Sequence, residues 1–491
     1  MRNVIDDQIK IGETSIKDIQ FDLNSRDEIP QILMGLQHIY SNKDLRKSVF
    51  DILEDLTPEG IDPNNGRNGM SYWKILVLGT LRLGCNIDYD KLKEIADQHN
   101  TVREMLGHSI YFDEEKFYPL QTVKDNVSLL TPEVMDQVNQ EVVKYGHSLL
   151  GKTVLDTLNA SCDSFVAETN VHFPTDINLL LDAIGKVIHL IGLVCKSAGI
   201  SDWRQSNQNK KKVKRLYRIT QQLKRSNSKN LQKKAEKEKE IKEAYLAYLD
   251  LCASFLCKAE WTIQKIRNDS AIGGVFTELQ LMAIESYMAH ASRQIEQTHR
   301  RVIQGEKIPH DEKVFSIFEE HTEWISKGKA GVPQELGLKV CILQDQYGFI
   351  CHHKVMRAQV DNEVAISMIL ETQSRFPNLA SCSFDKGFYS PVVKEVLPLL
   401  LDQVVLPKKG KMNEEEKQNT QTEDYIKARR KHSAVESAIN ALEHHGLDRC
   451  PDKGIDGFMR YVSLSVLSRN IHILGCIVQQ KEKEKQKLKA A

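Results

Sequence analysis

Residues 335–356, ELGLKVCILQDQYGFICHHKVM, hold two apolar runs separated by Asp345-Gln346-Tyr347-Gly348. Short runs rich in Val, Ile and Leu, bounded by turn residues, predict strands, and the brief polar break predicts a hairpin around Asp345 to Gly348. Downstream the pattern alternates. NEVAISMILETQSRF (362–376) has helical spacing, LASCSFD (379–385) reads as a strand, SPVVKEVLPLLL (390–401) as a helix and DQVVLPK (402–408) as a strand. A polar linker, KMNEEEKQNTQTED (411–424), leads into the helical RKHSAVESAINALEHHG (430–446), which Gly446 can close. Upstream, LNASCDSFVAETNV (158–171) reads as a strand ahead of Pro174. The order is strand, large helical insertion, strand, strand, helix, strand, helix, strand, helix, which predicts an α/β layer with a mixed sheet.

The remaining sequence is mostly helical. Within residues 1–150, YWKILVLGTLRLG (72–84) and YDKLKEIADQ (89–98) flank a Cys-Asn-Ile-Asp connection and predict a pair resembling a helix-turn-helix in a small helical domain. Acidic residues outnumber basic ones there, which weakens the idea of the whole domain lying on phosphate. After the loop HFPTD, Thr175 or Asp176 can cap INLLLDAIGKVIHLIGLV (177–194), with Asp176 the favoured capping residue, and helical sequence continues to about residue 303. Inside that block, residues 204–235 carry twelve lysines and arginines and no acid. Such a run is either a solvated helix face or an attractor for a phosphate backbone; Lys210, Lys211, Lys212, Lys214 and Arg215 are its densest part. Tyr217 could stack on a base or pack in a core.

The chain has 491 residues, 41% of them hydrophobic, enough for roughly two to four domains. Lysine plus arginine equals aspartate plus glutamate, at 67 each, so net charge decides nothing about partners; its distribution does. The ten cysteines form no C-x-x-C pair and often sit in apolar runs, which predicts buried reduced thiols rather than a zinc site. MRNVIDDQIKIGE lacks an apolar signal core, and no run approaches 18 uninterrupted apolar residues, so a cytoplasmic protein with no membrane partner is expected.

Three carboxylates fall at interpretable places: Asp163 in the first strand, Asp385 at the end of a later strand, and Glu436 beside the apolar face of the last helix of the layer. Ligands of open α/β sheets gather beyond strand ends. The plainer alternatives are that Asp385 caps a turn, with the glycine after Lys386 free to take positive φ, and that Glu436 faces solvent. Taken together, three converging carboxylates suit a hard divalent cation such as magnesium, and two such ions can drive in-line displacement at phosphorus.

CDSFVAETNVHFPTD (162–176), KGKAGVPQELGLKV (327–340), FDKGFYSP (384–391), RRKHSAVESAINALEHHGLDRCPDKG (429–454) and FMRYVSLSVLSRNIHILG (458–475) together resemble DDE transposases of bacterial insertion sequences, most closely the ISNCY group. The resemblance covers about 150–475 and is specific in combination. It implies α/β architecture with an RNase H-like mixed sheet core, an N-terminal all-helical domain and a large helical insertion. It also implies that Asp163, Asp385 and Glu436 are the catalytic and metal-holding residues, with two Mg2+ (or Mn2+) ions; that the substrate is double-stranded DNA; and that a homodimer pairs the element's ends. Two features depart from the family pattern. The main insertion lies between the first and second strands, and the Tyr-Arg-Glu-Lys signature of several families is absent, with Arg429 and His432 preceding Glu436 and Glu443 following it. Arg429, Arg430 and His432 are therefore candidate phosphate contacts, or simply a charged helix start.

The expected organisation is a helical domain over 1–150 as a DNA-binding candidate, catalytic core over 151–176 and 331–476, helical insertion over 177–330 and a charged tail over 477–491. The expected activity is binding of inverted-repeat ends, metal-dependent strand cleavage and strand transfer. The alternatives are an RNase H-like nuclease that cuts without joining, and a catalytically silent, transposase-derived DNA-binding protein.

Overall fold

A computed structural model describes residues 2–5, 12–57, 69–109, 117–223, 230–269, 274–326, 333–411 and 414–490. Residues 224–229 of the basic run and 327–332 of the KGKAGV stretch lie outside the described residues. The chain divides into two compact units, one formed by 1–170 with 323–491, the other by 171–322.

The first unit is built on seven strands: β1 (Leu158–Thr169), β2 (Glu323–Ser326), β3 (Gln334–Asp345), β4 (Ile350–Met356), β5 (Leu379–Phe384), β6 (Gln403–Val405) and β7 (Arg449–Cys450). They form an open mixed sheet in the order β2-β3-β1-β5-β6, with β4 also on β3 and β7 on β1. β3 runs antiparallel to β1 and β4, whereas β5 is parallel to β1 and β6. The hairpin, both later strands and the alternating helices fall where the apolar pattern puts them; β2 and β7, four and two residues long, were too short to carry one.

Alternation along β1 sends successive side chains to opposite faces. Leu158, Ala160 and Cys162 join Cys341, Leu343, Cys382 and Phe384 in a core shared with helix Asp361–Arg375 through Val364, Met368 and Ile369. Phe165 and Ala167 point the other way, into a core with Val340, Ile342 and the Val435, Ile439 and Leu442 stripe of helix Ser433–Leu442. That second core also takes in the N-terminal helices, through Ile32, Leu36, Trp73, Leu76 and Val138. The boundary at 150 therefore does not separate a domain: the N-terminal helices and the sheet share one apolar interior.

Helix Gly454–Ala490 explains why. Its residues Val462, Leu464, Val466, Leu467, Ile471 and Leu474 are buried among those same helices, and Gly35 and Gly475 let the backbones meet: a Cβ on Gly475 would stand 1.8 Å from the Gln31 carbonyl oxygen. Asn470 accepts from the Ile350 amide at 3.0 Å and donates to Asn139 at 2.7 Å, fixing this helix and helix Pro132–Leu149 to β4. The stretch 477–491, expected as a tail, is the last part of this helix through Ala490. Helix Tyr72–Gly84 is present with its successor Tyr89–Gln98, as the helix-turn-helix pattern predicted, but nearly all of the first helix is buried, and the exposed side of the second carries Asp90, Lys91 and Glu94. This pair therefore offers phosphate no surplus of positive charge.

The second unit holds helices Asp176–Ser197, Ser206–Gln222, Leu231–Arg267 and Val275–His299 around a separate core that includes Ile184, Ile188, Trp203, Tyr248, Phe255 and Ile284. Thr175, not Asp176, caps the first helix, accepting from the Asn178 amide at 3.3 Å, and Asp176 pairs with Arg301 instead. Two helices, Asp176–Ser197 and Gly454–Lys489, are long and apolar enough to cross a membrane by composition; 50% and 72% of their apolar windows are buried inside the protein.

Candidate acidic site at the strand ends

β5 ends at Phe384, level with Cys162 of β1. Asp163 and Asp385 are thus the next residues on two adjacent parallel strands, whose spacing is roughly 4.8 Å. Since Cys162 and Phe384 face one core, Asp163 and Asp385 face the other side, where helix Ser433–Leu442 lies against Phe165 and Ile342. Glu436 is an exposed residue on that helix, next to the buried Val435.

The other two carboxylates act on Asp163. Asp163 accepts one hydrogen bond, from the Ser164 amide at 2.7 Å. Burial pushes its carboxyl up to about 6 despite that bond, and the negative charges of Asp385, Asp361 and Glu436 push in the same direction. Asp385 does not act as a turn cap: the turn closes through backbone bonds from Phe388 to the Asp385 carbonyl and from Tyr389 to the Lys386 carbonyl, and the Asp385 side chain makes no capping bond. Its carboxylate is 52% exposed, with Arg429 Nη2 at 3.6 Å.

Gly387 is likewise not placed for positive φ. A Cβ there would stand 2.7 Å from Asp361 Oδ2, so the glycine permits close approach of a fourth carboxylate. Asp361 accepts from Ser164 Oγ at 2.7 Å and from Lys339 Nζ at 3.1 Å. Neither Asp361 nor Lys339 was singled out from the sequence. An acid at a helix start looks like an ordinary first-turn residue, and a lysine within VCIL-type sequence gives no hint of its partner.

Arg429 and His432 lie beside these carboxylates. Arg429 donates to the Phe384 carbonyl at 3.1 Å, beside Asp385. His432 is buried at the break between helices Glu423–Lys431 and Ser433–Leu442, with Nδ1 3.0 Å from Ser383 Oγ, which in turn meets Ser161 Oγ at 2.8 Å. Burial, then the Arg429 charge, lowers its pKa, while Asp385 and Glu436 pull it back up. Its Nε2 is buried without a hydrogen-bond partner among the described residues. Arg430 is exposed.

Upstream of Asp163 the same sheet face is polar: Asn159, Ser161, Ser381, Ser383 and Gln344 floor a cavity of about 910 Å³ roofed by residues such as Lys431 and Ser437. Beyond Asp163 the face becomes the apolar Phe165 and Ala167. The acidic residues therefore stand where a polar hollow meets a packed core.

In the other unit, Lys211, Lys212, Lys214 and Arg215 are exposed on helix Ser206–Gln222, and Lys210 is half-buried. Tyr217 is committed to packing: it lies against Tyr248 and its hydroxyl donates to Asn178.

The tightest set of potential metal ligands among the described residues lies elsewhere. His147, Asp345 and Cys351 have ligand atoms all within 4.8 Å of one another, a spacing the Asp163, Asp385 and Glu436 set does not meet. Asp345 is fully engaged, taking the Tyr347 and Phe349 amides on Oδ1 and His147 Nε2 at 2.5 Å on Oδ2, with the Cys351 thiol at 3.6 Å. That set closes the hairpin turn onto helix Pro132–Leu149, and its nitrogen and sulfur donors do not match the oxygen preference of magnesium.

Comparison of the chain with protein-family models, with curated proteins and with solved structures finds no match.

Proposed function

We propose that this chain is a DDE transposase that binds the inverted-repeat ends of its own element, cleaves a strand and transfers the freed 3′-hydroxyl to target DNA. The observation that carries the proposal is that Asp163 on β1, Asp385 just past β5 and Glu436 on a helix against the same sheet face lie near enough for the negative charges of the latter two to add, behind burial, to the raised pKa of the first. A sheet in the order β4-β3-β1-β5-β6, with only β3 antiparallel to its neighbours, supports an RNase H-like core into which the helical unit is inserted after β1.

The donor set fits a divalent cation: it consists of carboxylate oxygens, it concentrates negative charge, and it contains a carboxyl whose proton a cation would displace. Asp163, Asp385 and Glu436 would hold Mg2+ or Mn2+, which when bound supplies charge neutralisation at phosphorus and eases ionisation of the attacking hydroxyl. The chain's own groups do the placing. Arg429 bridges the end of β5 and the Asp385 carboxylate. His432 ties the Glu436 helix to Ser383 on β5, so that the glutamate is presented from a fixed helix start. Lys339 and Ser164 hold Asp361 beside the loop that bears Asp385.

The test is strand cleavage and strand transfer on an end-sequence duplex with Asp163→Asn, Asp385→Asn and Glu436→Gln. Each substitution is expected to abolish cleavage and leave folding and end binding nearly intact; a wild-type cleavage rate removes that residue from the site. A pre-nicked end separates the alternatives. Joined products indicate a transposase, and cutting without joining indicates a nuclease. Binding without either indicates a silent DNA-binding descendant.

A further inference from the structure

We propose that the hollow between helices Asp176–Ser197 and Ser206–Gln222 of the inserted unit grips the phosphate backbone of duplex DNA, with Lys186 and His189 acting alongside Lys210 and Lys214. The ligand's identity rests on the functional proposal above; the existence of an anion site rests on the hollow itself.

The hollow, about 350 Å³, is lined by Lys186, His189, Lys210 and Lys214 over an apolar floor that includes Val213 and Phe318. Lys186 is half-buried, with its ammonium 5.7 Å from the Phe318 ring centre and 6.0 Å from that of Tyr287, so its stem is held by packing rather than free in solvent. Lys210 is also half-buried. The cations act on one another: burial and then Lys186 lower the pKa of Lys210, and Lys210, burial and Lys186 lower that of His189.

The acid in the lining, Asp182, is already engaged by His172 at 2.6 Å. Three lysines therefore converge on a concave surface whose single carboxylate is spoken for. Such an arrangement favours an incoming anion, because a phosphate brings the missing charge and several acceptor oxygens together. The positive charge also continues past the hollow, through the exposed Lys211, Lys212, Arg215 and Arg218 of the same helix. A small phosphate would use only the hollow; a polyanion uses the hollow and the row, and this favours DNA.

The experiment measures affinity of the full chain for a fluorescently labelled duplex across a series of KCl concentrations. Lys186→Gln combined with Lys210→Gln is expected to weaken binding and to flatten the slope of log affinity against log salt by about 2, at about 0.9 for each phosphate no longer neutralised. Lys144→Gln combined with Lys485→Gln, at exposed lysines outside the hollow, is expected to leave the slope unchanged. Lysine acetylation footprinting of the wild-type chain gives a second measurement that does not depend on any variant folding: duplex DNA should protect Lys186 and Lys210. A wild-type protein that binds DNA with steep salt dependence, with no protection of these lysines and an unchanged slope in the double variant, overturns this inference alone. Protection by inorganic phosphate but not by duplex overturns the DNA assignment in favour of a small-anion site. A wild-type chain that binds no DNA overturns the functional proposal together with this one.

Discussion

Asp345 and Asp163 lie on adjacent antiparallel strands of one sheet and are treated in opposite ways. Asp345, whose side chain is 0% exposed, has both oxygens occupied by two amides, an imidazole and a thiol. Asp163 has one amide and three neighbouring acids, and its proton affinity rises. A buried carboxylate with a full set of donors fastens a turn to a helix. One with too few donors and too many like charges costs stability, and that cost is expected where a cation or substrate completes the set.

The widest separation between the two is in activity. On the proposed function, Asp163→Asn keeps the side-chain shape and removes an oxygen that would hold metal, so strand cleavage should fall by at least about 10³-fold, several kcal/mol of transition-state stabilisation. Asp345→Asn should leave cleavage per folded molecule within a few fold. Equal losses of activity in the two variants would erase the distinction.

Stability should divide in the reverse sense. Asp345→Ala strands the Tyr347 and Phe349 amides and His147 Nε2 in the interior, and about 3–5 kcal/mol should be lost. Urea unfolding checks this as a drop in midpoint with unchanged slope. A loss below about 1 kcal/mol would mean that the hairpin end relaxes and that the closed ligand set is incidental.

The third separation is in pH. The folded-state pKa of Asp163 lies above its unfolded value of 3.8, at about 6, so between these limits the native state binds the extra proton and stability falls as pH rises. Above about 6 the ionised carboxylate costs on the order of 2–3 kcal/mol. Asp163→Asn removes that cost. The variant should therefore be more stable than wild type at pH 7, with the advantage shrinking as pH drops and vanishing below about 4. Thermal unfolding across this range reads the difference directly, and a pH-independent gap would show that Asp163 ionises freely.

What the sequence disclosed of this pair follows from periodicity. The hairpin, β1 and β5 carry local patterns, so Asp163 and Asp385 could be placed at strand positions from the residues alone. Asp345 was legible only as a turn residue, because its partners His147 and Cys351 arrive from a separate helix and from the second hairpin strand. Asp361 escaped for the same reason: what marks it is the missing Cβ of Gly387, 26 residues away in the chain. The final helix extends past the expected start of a tail: KEKEKQK (481–487) has the composition of a solvated segment, whereas a helix nucleated by buried residues such as Leu467, Ile471 and Leu474 continues through such sequence at little cost. Composition also hid the shared interior of the N-terminal helices and the sheet, since apolar residues do not declare which apolar surface they will meet.

The smallest effect concerns the polar relay between strand and helix. Ser383 Oγ lies between Ser161 Oγ at 2.8 Å and His432 Nδ1 at 3.0 Å, so Ser383→Ala removes both hydrogen bonds while adding no bulk. About 2 kcal/mol of stability should be lost, about 1 for each of the two hydrogen bonds. If the relay serves only packing, cleavage by the folded fraction will be unaffected. If it sets the start of the Glu436 helix against β5, cleavage will fall several-fold beyond the stability loss, and Ser383→Thr, which keeps the hydroxyl, will restore it. That contrast places Ser383 either with Asp345, among the groups that hold the fold, or with Asp163, among those that hold the site.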